Sequence, residues 1–393
     1  MLLATFAANA EENAASSQAV EDKAANRQAQ AVNIGELFGL ASNGQKPFLL
    51  GGYAEILYQW NFNNPSNRIT SYRGFDNRHN TFSISNVALD VQWDYKDIVG
   101  RLTLQIGDTP NTYYQGEPAL PGTSGTAPSG AEVWKYIQQA YAGYRIPLGA
   151  GLLAQFGIFL SPIGPEGMPI KDNWNWSRSN LFFGLPFYHA GGKLTYPFTE
   201  RLSLTAAVYN GWNNVSDNNS EKSLSLQATY AIPDQVSVSV LYFTGVERSP
   251  GALEGRAWRH LLDAHVTLRL TPWLEMLAHA NGGFEPNVIG VSGWICGAAY
   301  LRFQVATPFF IALRGDVFWE HVPTNAAGET ASAIFWPVAW VSSGTLTLDY
   351  RPIDRISIRL EYRHDHAAGD LYFAGGVRRD FQDTLTLGIV GWF

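Results

Sequence analysis

The sequence is short of charge. Of its 393 residues, 16% are Asp, Glu, Lys or Arg, against roughly 25% in soluble globular domains. With 27 Lys and Arg against 34 Asp and Glu, the net charge is −7, so the basic stripe of a nucleic-acid binder is missing. The one cysteine, Cys296, excludes an intramolecular disulfide, and neither a CxxC metal motif nor a CxxCH haem motif is present. No segment approaches the roughly 18 consecutive apolar residues of a transmembrane helix, although 46% of residues are hydrophobic and 13% aromatic. Apolar and polar residues are therefore finely interleaved. A chain of this texture crosses a membrane only as a closed barrel, because helices and barrels alone satisfy their backbone groups in lipid.

Three segments differ in texture. Residues 1–10, MLLATFAANA, end on Ala8-Asn9-Ala10 in the manner of a signal-peptide remnant, but without the basic residues that normally lead one. Residues 11–46 are rich in Ala, Gln, Glu and Asn and read as a helical or flexible periplasmic extension, with no sustained heptad. Over residues 47–393 the pattern alternates with a period of two, as strands with a different environment on each face require. In 261–270, Leu262, Ala264, Val266, Leu268 and Leu270 oppose Asp263, His265, Thr267 and Arg269. In 355–363, Ile356, Ile358, Leu360 and Tyr362 oppose Arg355, Ser357, Arg359, Glu361 and Arg363.

Extended along the chain, this alternation predicts an all-β fold. It is a transmembrane antiparallel β-barrel of about 16 strands, at 47–60, 81–94, 97–107, 133–146, 150–159, 187–196, 200–211, 221–232, 235–244, 258–270, 273–284, 291–305, 308–320, 335–350, 354–363 and 381–393. Strands of about ten residues suit a tilted bilayer crossing, and an even count suits a bacterial single-chain barrel. The connections follow a second rule. Tight turns rich in Pro, Gly and Asp follow every even strand, for example Tyr95-Lys96-Asp97, Pro147-Leu148-Gly149 and Pro352-Ile353-Asp354. Longer loops follow the odd strands: 61–80, 108–132, 160–186, 212–220, 245–257, 285–290, 321–334 and 364–380. Short periplasmic turns opposite long extracellular loops are what such barrels carry; Ser124 is expected on the outer side. The last strand, TLTLGIVGWF, puts Leu385, Leu387, Ile389 and Phe393 on one face, like the assembly signal of outer-membrane proteins.

Several stretches resemble the OmpL-like β-barrel porin family. They are GGYAEILYQWNFNNPSN (51–67), FDNRHNTFSISNVALDV (75–91), YIQQAYAGYRIPLGAGLLAQFGIFLSPIGPE (136–166), KDNWNWSRSNLFFGLPFYHAGGKL (171–194) and NGWNNVSDNNSEKS (210–223). KDNWNWSRS followed by PFYHAG is the most distinctive, and the C-terminal half matches mainly in texture. The resemblance implies an outer-membrane barrel with no enzyme activity and no defined substrate.

Charge at a lipid-facing midplane position costs roughly 2–4 kcal/mol, so the charged face points into the lumen. It carries Arg101, Lys135, Arg145, Lys193, Arg201, Arg269, Arg302, Arg314, Arg355, Arg359 and Arg363. The acids are Glu55, Asp90, Asp263, Glu275, Asp316, Glu320, Asp349 and Glu361. These are either charged rungs that set ion preference or ion pairs that stiffen the wall. His189, His265 and His279 share the face, on strands read as well separated, and point more to satisfied lumen histidines than to a metal. No local motif supports a Ser-His-Asp hydrolase, so no enzyme, cofactor or metal is expected.

Loop 160–186 follows the fifth strand, where 16-stranded general porins fold a loop inward. Pro162, Gly164, Pro165 and Gly167 can turn it back from the rim, and Trp174 and Trp176 need a wall to pack against. Lys171, Asp172 and Arg178 are then expected at the constriction; the alternative is an external lid whose charges pair with neighbouring loops. The leading function is a porin for passive diffusion of small hydrophilic solutes or ions, with outer-membrane lipid as the other partner and a homotrimer left open. A sheath around a partner protein, or a substrate-specific channel, remain as alternatives.

Overall fold

The computed structural model describes the backbone of residues 32–33 and all of residues 48–117 and 130–393. The signal-peptide remnant, nearly all of the 11–46 extension and Ser124 lie outside the described residues.

Sixteen strands form one antiparallel sheet: β1 (Phe48–Asn61), β2 (Thr81–Tyr95), β3 (Ile98–Ile106), β4 (Ile137–Ile146), β5 (Leu152–Leu160), β6 (Tyr188–Pro197), β7 (Leu202–Tyr209), β8 (Ser223–Ile232), β9 (Val236–Val246), β10 (Trp258–Thr271), β11 (Leu274–Pro286), β12 (Val291–Ala306), β13 (Phe309–His321), β14 (Trp340–Ile353), β15 (Ile356–Ala367) and β16 (Phe381–Trp392). Each strand pairs with its neighbours in sequence, and β16 pairs with β1 from Thr384–Asn61 to Trp392–Tyr53. That last ladder closes the sheet, so no barrel strand is left with an open edge. Val32–Asn33 adds a short antiparallel pairing to Leu49 and Leu50 at the start of β1.

The two faces of the wall are the reverse of a soluble protein. Large apolar side chains stand exposed on the outside: Phe82 at 80%, Phe156 at 67%, Ile295 at 65% and Leu226 at 62%. Their sequence neighbours on the inside, such as Ser83, Gln155, Cys296 and Ser225, are buried. A hydrophobic outer band and a polar interior are what a lipid-embedded barrel needs. Phe393 belongs to the outer face, with its ring against Gly52, where a Cβ would crowd it.

Connections after even-numbered strands hold two to five residues, and those after odd-numbered strands hold 11 or more except the four-residue 287–290, so turns gather at one end and loops at the other. Lys96 and Asp234 take left-handed backbone conformations within two of the turns, the geometry that tight hairpins demand. β1 begins and β16 ends at the turn end.

Three strand limits differ from the sequence reading by four residues or more; one is the end of β15, which runs on to Ala367 through residues read as loop 364–380. Residues 133–136 are not strand: Gly130–Trp134 form a helical turn, across which Lys135 pairs with Glu132 at 2.8 Å. Residues 335–339 are not strand either. The amides of Ile334, Phe335 and Trp336 all donate to the Glu320 carboxylate, and a backbone turned to one side chain cannot also build a ladder.

The turn and loop ends predict which residues a cell exposes. In whole cells, a cysteine replacing the exposed Ala327 in loop 322–339 should react with an impermeant maleimide, whereas Asp234→Cys in a turn should react only after the outer membrane is permeabilised. The opposite pattern would invert the orientation.

Candidate functional site

The segment between β5 and β6, residues 161–187, is bonded to β1, β10, β13 and β15. Its main chain is held by charged side chains from distant strands. The Glu55 carboxylate on β1 accepts from the Ile170 amide at 2.6 Å. Glu361 on β15 accepts from the Trp176 amide and from the Ser177 amide at 2.9 Å, and Thr347 donates to it at 2.8 Å. Asp263 on β10 receives the Gly164 amide at 3.1 Å, and Asp316 on β13 receives that of Asn180 at 3.2 Å. The guanidiniums hold the carbonyls. Arg359 donates to Ile170 O and Asn175 O at 3.2 and 3.1 Å, Arg314 to Ser177 O, and Arg363 to Arg178 O. Hydrogen bonds to ionised groups contribute more than neutral ones, about 1.5–3 kcal/mol each.

Apolar contacts complete the seating. Trp176 is 1% exposed and packs with Leu57, Ile170 and Val390. A side chain on Gly388 would overlap the Trp176 ring, so glycine there makes room for it. Trp174 meets Tyr300 edge-on at 6.5 Å. Ile163, Leu181 and Leu185 join a cluster with Phe159, Leu241, Phe243, Trp294, Phe318 and Trp336. The loop-end half of the interior is therefore packed, with aromatic and aliphatic side chains reaching inward from both loops and wall.

The expected constriction residues divide. Lys171 and Asp172 pair at 2.9 Å with side chains 30% and 57% exposed. Arg178 is 2% exposed, inside the loop. It donates to Met168 O and Trp176 O, and its guanidinium lies 5.1 Å from the Phe75 ring centre and 5.9 Å from that of Phe182. Its surroundings are those of a residue that shapes the loop.

The wall residues split in the same way. Glu55, Asp263, Arg314, Asp316, Arg359 and Glu361 are buried against the loop. Asp90 and Arg101 pair at 2.8 Å on the turn-end half of the interior, where Glu275 binds Arg269 at 3.1 Å and Arg302 at 3.3 Å. Lys193 is half-buried, its Nζ 4.3 Å from the Phe159 ring centre and 5.7 Å from that of Tyr141. Arg355, Lys135 and Arg201 sit in connections, outside the strands. His265 and His279 are directly opposed in the β10–β11 hairpin and both approach Asp263, at 3.5 and 2.6 Å, which corrects their reading as separated. His189 is satisfied by Ser161 and Gly211 O at 3.2 and 3.1 Å. Among the described residues no group of three His, Cys, Asp or Glu could hold a metal ion.

Three carboxylates that the sequence did not single out for this task also bind loops. Glu166 receives the Ser179 amide at 3.0 Å and lies 3.2 Å from Arg314. Glu320 receives the amides of loop 322–339 described above. Glu117 accepts from Tyr188 and from the amides of Val215 and Ser216, and burial holds its carboxyl above the usual carboxylate range against those bonds. An acidic residue just before an aromatic, amide-bearing loop was the available signal for Glu320.

A closed, lipid-banded barrel with polar residues and folded loops inside is an outer-membrane β-barrel of the porin type. The chain belongs to the family described as "Putative beta-barrel porin-2, OmpL-like", whose model matches residues 47–393. No curated protein matches the sequence. Among solved structures it is similar in fold to the outer-membrane protein OmpT of Vibrio cholerae (TM-score 0.56, 9% identity, covering 90% of this chain and 99% of that one). It is also similar to the anion-selective porin from Comamonas acidovorans (0.56, 11%, 88% and 99%) and to the outer membrane channel DcaP of Acinetobacter baumannii (0.53, 13%, 88% and 97%).

Removing one anchor tests the seating. Glu361→Ala leaves the Trp176 and Ser177 amides without their acceptor. At about 1.5–3 kcal/mol for such charged bonds, hydrogen exchange of those two amides should speed up roughly 10- to 100-fold. Unchanged exchange in a folded barrel would show that the carboxylate does not hold the loop.

Proposed function

We propose that the chain is a porin for passive diffusion of small hydrophilic solutes, with a path narrowed by segment 161–187. The observation that carries this reading is the chain of charge-assisted bonds from Glu361 and Arg359 on β15 to Glu55 on β1. It seats residues 170–178 against the inner wall. Lys171 and Asp172 then border the path directly, and Arg178 acts on it by holding the loop's shape. The apolar packing of the loop-end half supports a narrow, selective path over a wide general pore. It also leaves little room for a partner protein, which counts against a sheath. The reading contains no catalytic step. A homotrimer is its proposed assembled state, in keeping with the trimer form of one OmpT structure.

Charge on the solvent-reached inner wall supports a weak preference for anions. Arg101, Arg145, Lys193, Arg269, Arg302 and Arg351 face Asp90, Asp94, Glu275 and Asp349, the last paired with Arg351 at 2.8 Å, and Asp234 in the adjoining turn adds a fifth acid. Six cations against five acids leave an excess of one. The acids Glu55, Asp263, Asp316 and Glu361 are buried against segment 161–187, where their field reaches a passing solute less.

Planar-bilayer recordings test the path. Wild type should show a small, fixed conductance. Arg178→Ala should raise it by loosening the loop, and Lys171→Ala should shift ion selectivity. Unchanged conductance and selectivity in both variants, with the barrel folded, would retire the constriction.

Reversal potentials test the preference. A salt gradient should show slight anion selectivity that Lys193→Gln diminishes. Strong cation selectivity would contradict it.

A further inference from the structure

Where segments 62–80, 161–187 and 322–339 meet, they leave a crevice of about 190 Å³ lined by Tyr72, Arg73, Gly74, Phe183, Phe335 and Trp336. Four of the six lining residues are aromatic. Tyr72, 39% exposed, forms its rim, with its ring centre 5.7 Å from that of Trp336. A Cβ on Gly74 would collide with the Phe183 ring, so glycine keeps this wall open to the ring face.

Two buried donors in the lining have no acceptor. Arg73 is 4% exposed, and its Nη atoms are spent on Asp76 and on Asp365 at 3.2 Å, leaving Nε without a partner. Trp336 is 3% exposed, and its indole Nε1 is likewise unpartnered. A buried donor left unmade costs free energy that an arriving acceptor recovers. Both residues line the same small space.

We propose that this crevice binds a single-ring aromatic molecule bearing one uncharged acceptor oxygen, a carbonyl or hydroxyl, at the loop-end mouth of the barrel. Three features select that class. The volume lies below the roughly 300–1,000 Å³ of sites for drug-sized ligands, so one ring fits. Tyr72, Phe335, Phe183 and Trp336 offer ring faces and edges, which favour an aromatic over a saturated ring. The nearby ions balance: Arg73 and Arg363 are matched by Asp76 and Asp365, with Arg363 and Asp365 paired at 2.6 Å. A ligand carboxylate would find no uncompensated cation, whereas a neutral oxygen finds two idle N–H groups.

The test is saturation-transfer NMR with calorimetry on the purified full chain in detergent micelles, which needs no transport and so stands or falls apart from the conductance experiments. The probes are benzamide, benzoate and cyclohexanecarboxamide. Benzamide should bind saturably and at least threefold more tightly than either of the others. Trp336→Phe, which keeps the ring and removes the N–H, should weaken benzamide binding about three- to tenfold. Retention of the heat-modifiable band shift will show that the variant barrel is folded. Tyr72→Ala, at the exposed rim, gives a second variant with little bearing on folding and should also weaken binding. Equal binding of cyclohexanecarboxamide, tighter binding of benzoate, no saturable benzamide binding, or benzamide binding indifferent to both substitutions would each overturn the proposal.

Discussion

The ladder between β16 and β1, running from Asn61–Thr384 to Tyr53–Trp392, ties the two ends of the barrel domain together through main-chain hydrogen bonds. In a bilayer those bonds have no substitute, because no water is there to take them up. Closure divides every strand into two faces that cannot be exchanged without slipping the register by one residue. Ile295 therefore meets lipid while its neighbours Trp294 and Cys296 turn inward. Charge excluded from the outer face accumulates inside, where it must find partners.

Those partners are largely main chain. Segment 161–187 brings amides and carbonyls against buried wall side chains, and each group left unpaired there costs free energy. Carboxylates and guanidiniums on the wall meet this need in complementary fashion. Glu55, Glu361, Asp263 and Asp316 take N–H groups, while Arg314, Arg359 and Arg363 take carbonyls. Ion pairing between rungs, such as Arg363 with Asp365, occurs alongside this and orients the side chains. The choice between selectivity rungs and stiffening pairs was therefore incomplete, because a third use, gripping a loop's backbone, accounts for the most deeply buried charges.

The strands were legible because period-two alternation with one lipid-facing side is a strong constraint. Leu262 and Asp263 could not trade faces without placing charge in hydrocarbon. Turn chemistry added the odd–even rule. Less legible was whatever depends on pairs distant in sequence. Glu361 binds an amide 184 residues earlier, and nothing local marks either partner. Phe335–Ala339 look like the start of a strand because apolar side chains pointing inward against other loops resemble apolar side chains facing lipid. Arg178 was placed at the constriction by its charge, but neighbouring aromatics and carbonyls satisfied that charge within the loop. The opposed pair His265–His279 was within reach of the sequence, since a short turn between two strands fixes which residues meet.

The interior is consequently of two kinds. Toward the loop end, wall residues and loops share a packed aromatic core. Toward the turn end, between β3 and β14, charged side chains such as Arg101, Glu275, Arg302 and Arg351 keep contact with solvent. The arginines there are partly shielded by rings, with Arg302 4.3 Å and Arg351 5.2 Å from the Phe310 ring centre. Such stacking holds a guanidinium extended along the wall without neutralising it. The turn-end half therefore presents paired charges that still reach solvent. The loop-end half presents close-packed side chains. Packed interiors rearrange between discrete arrangements instead of deforming smoothly, so segments 161–187 and 322–339, bonded to Glu361 and Glu320, form one packed unit with the wall.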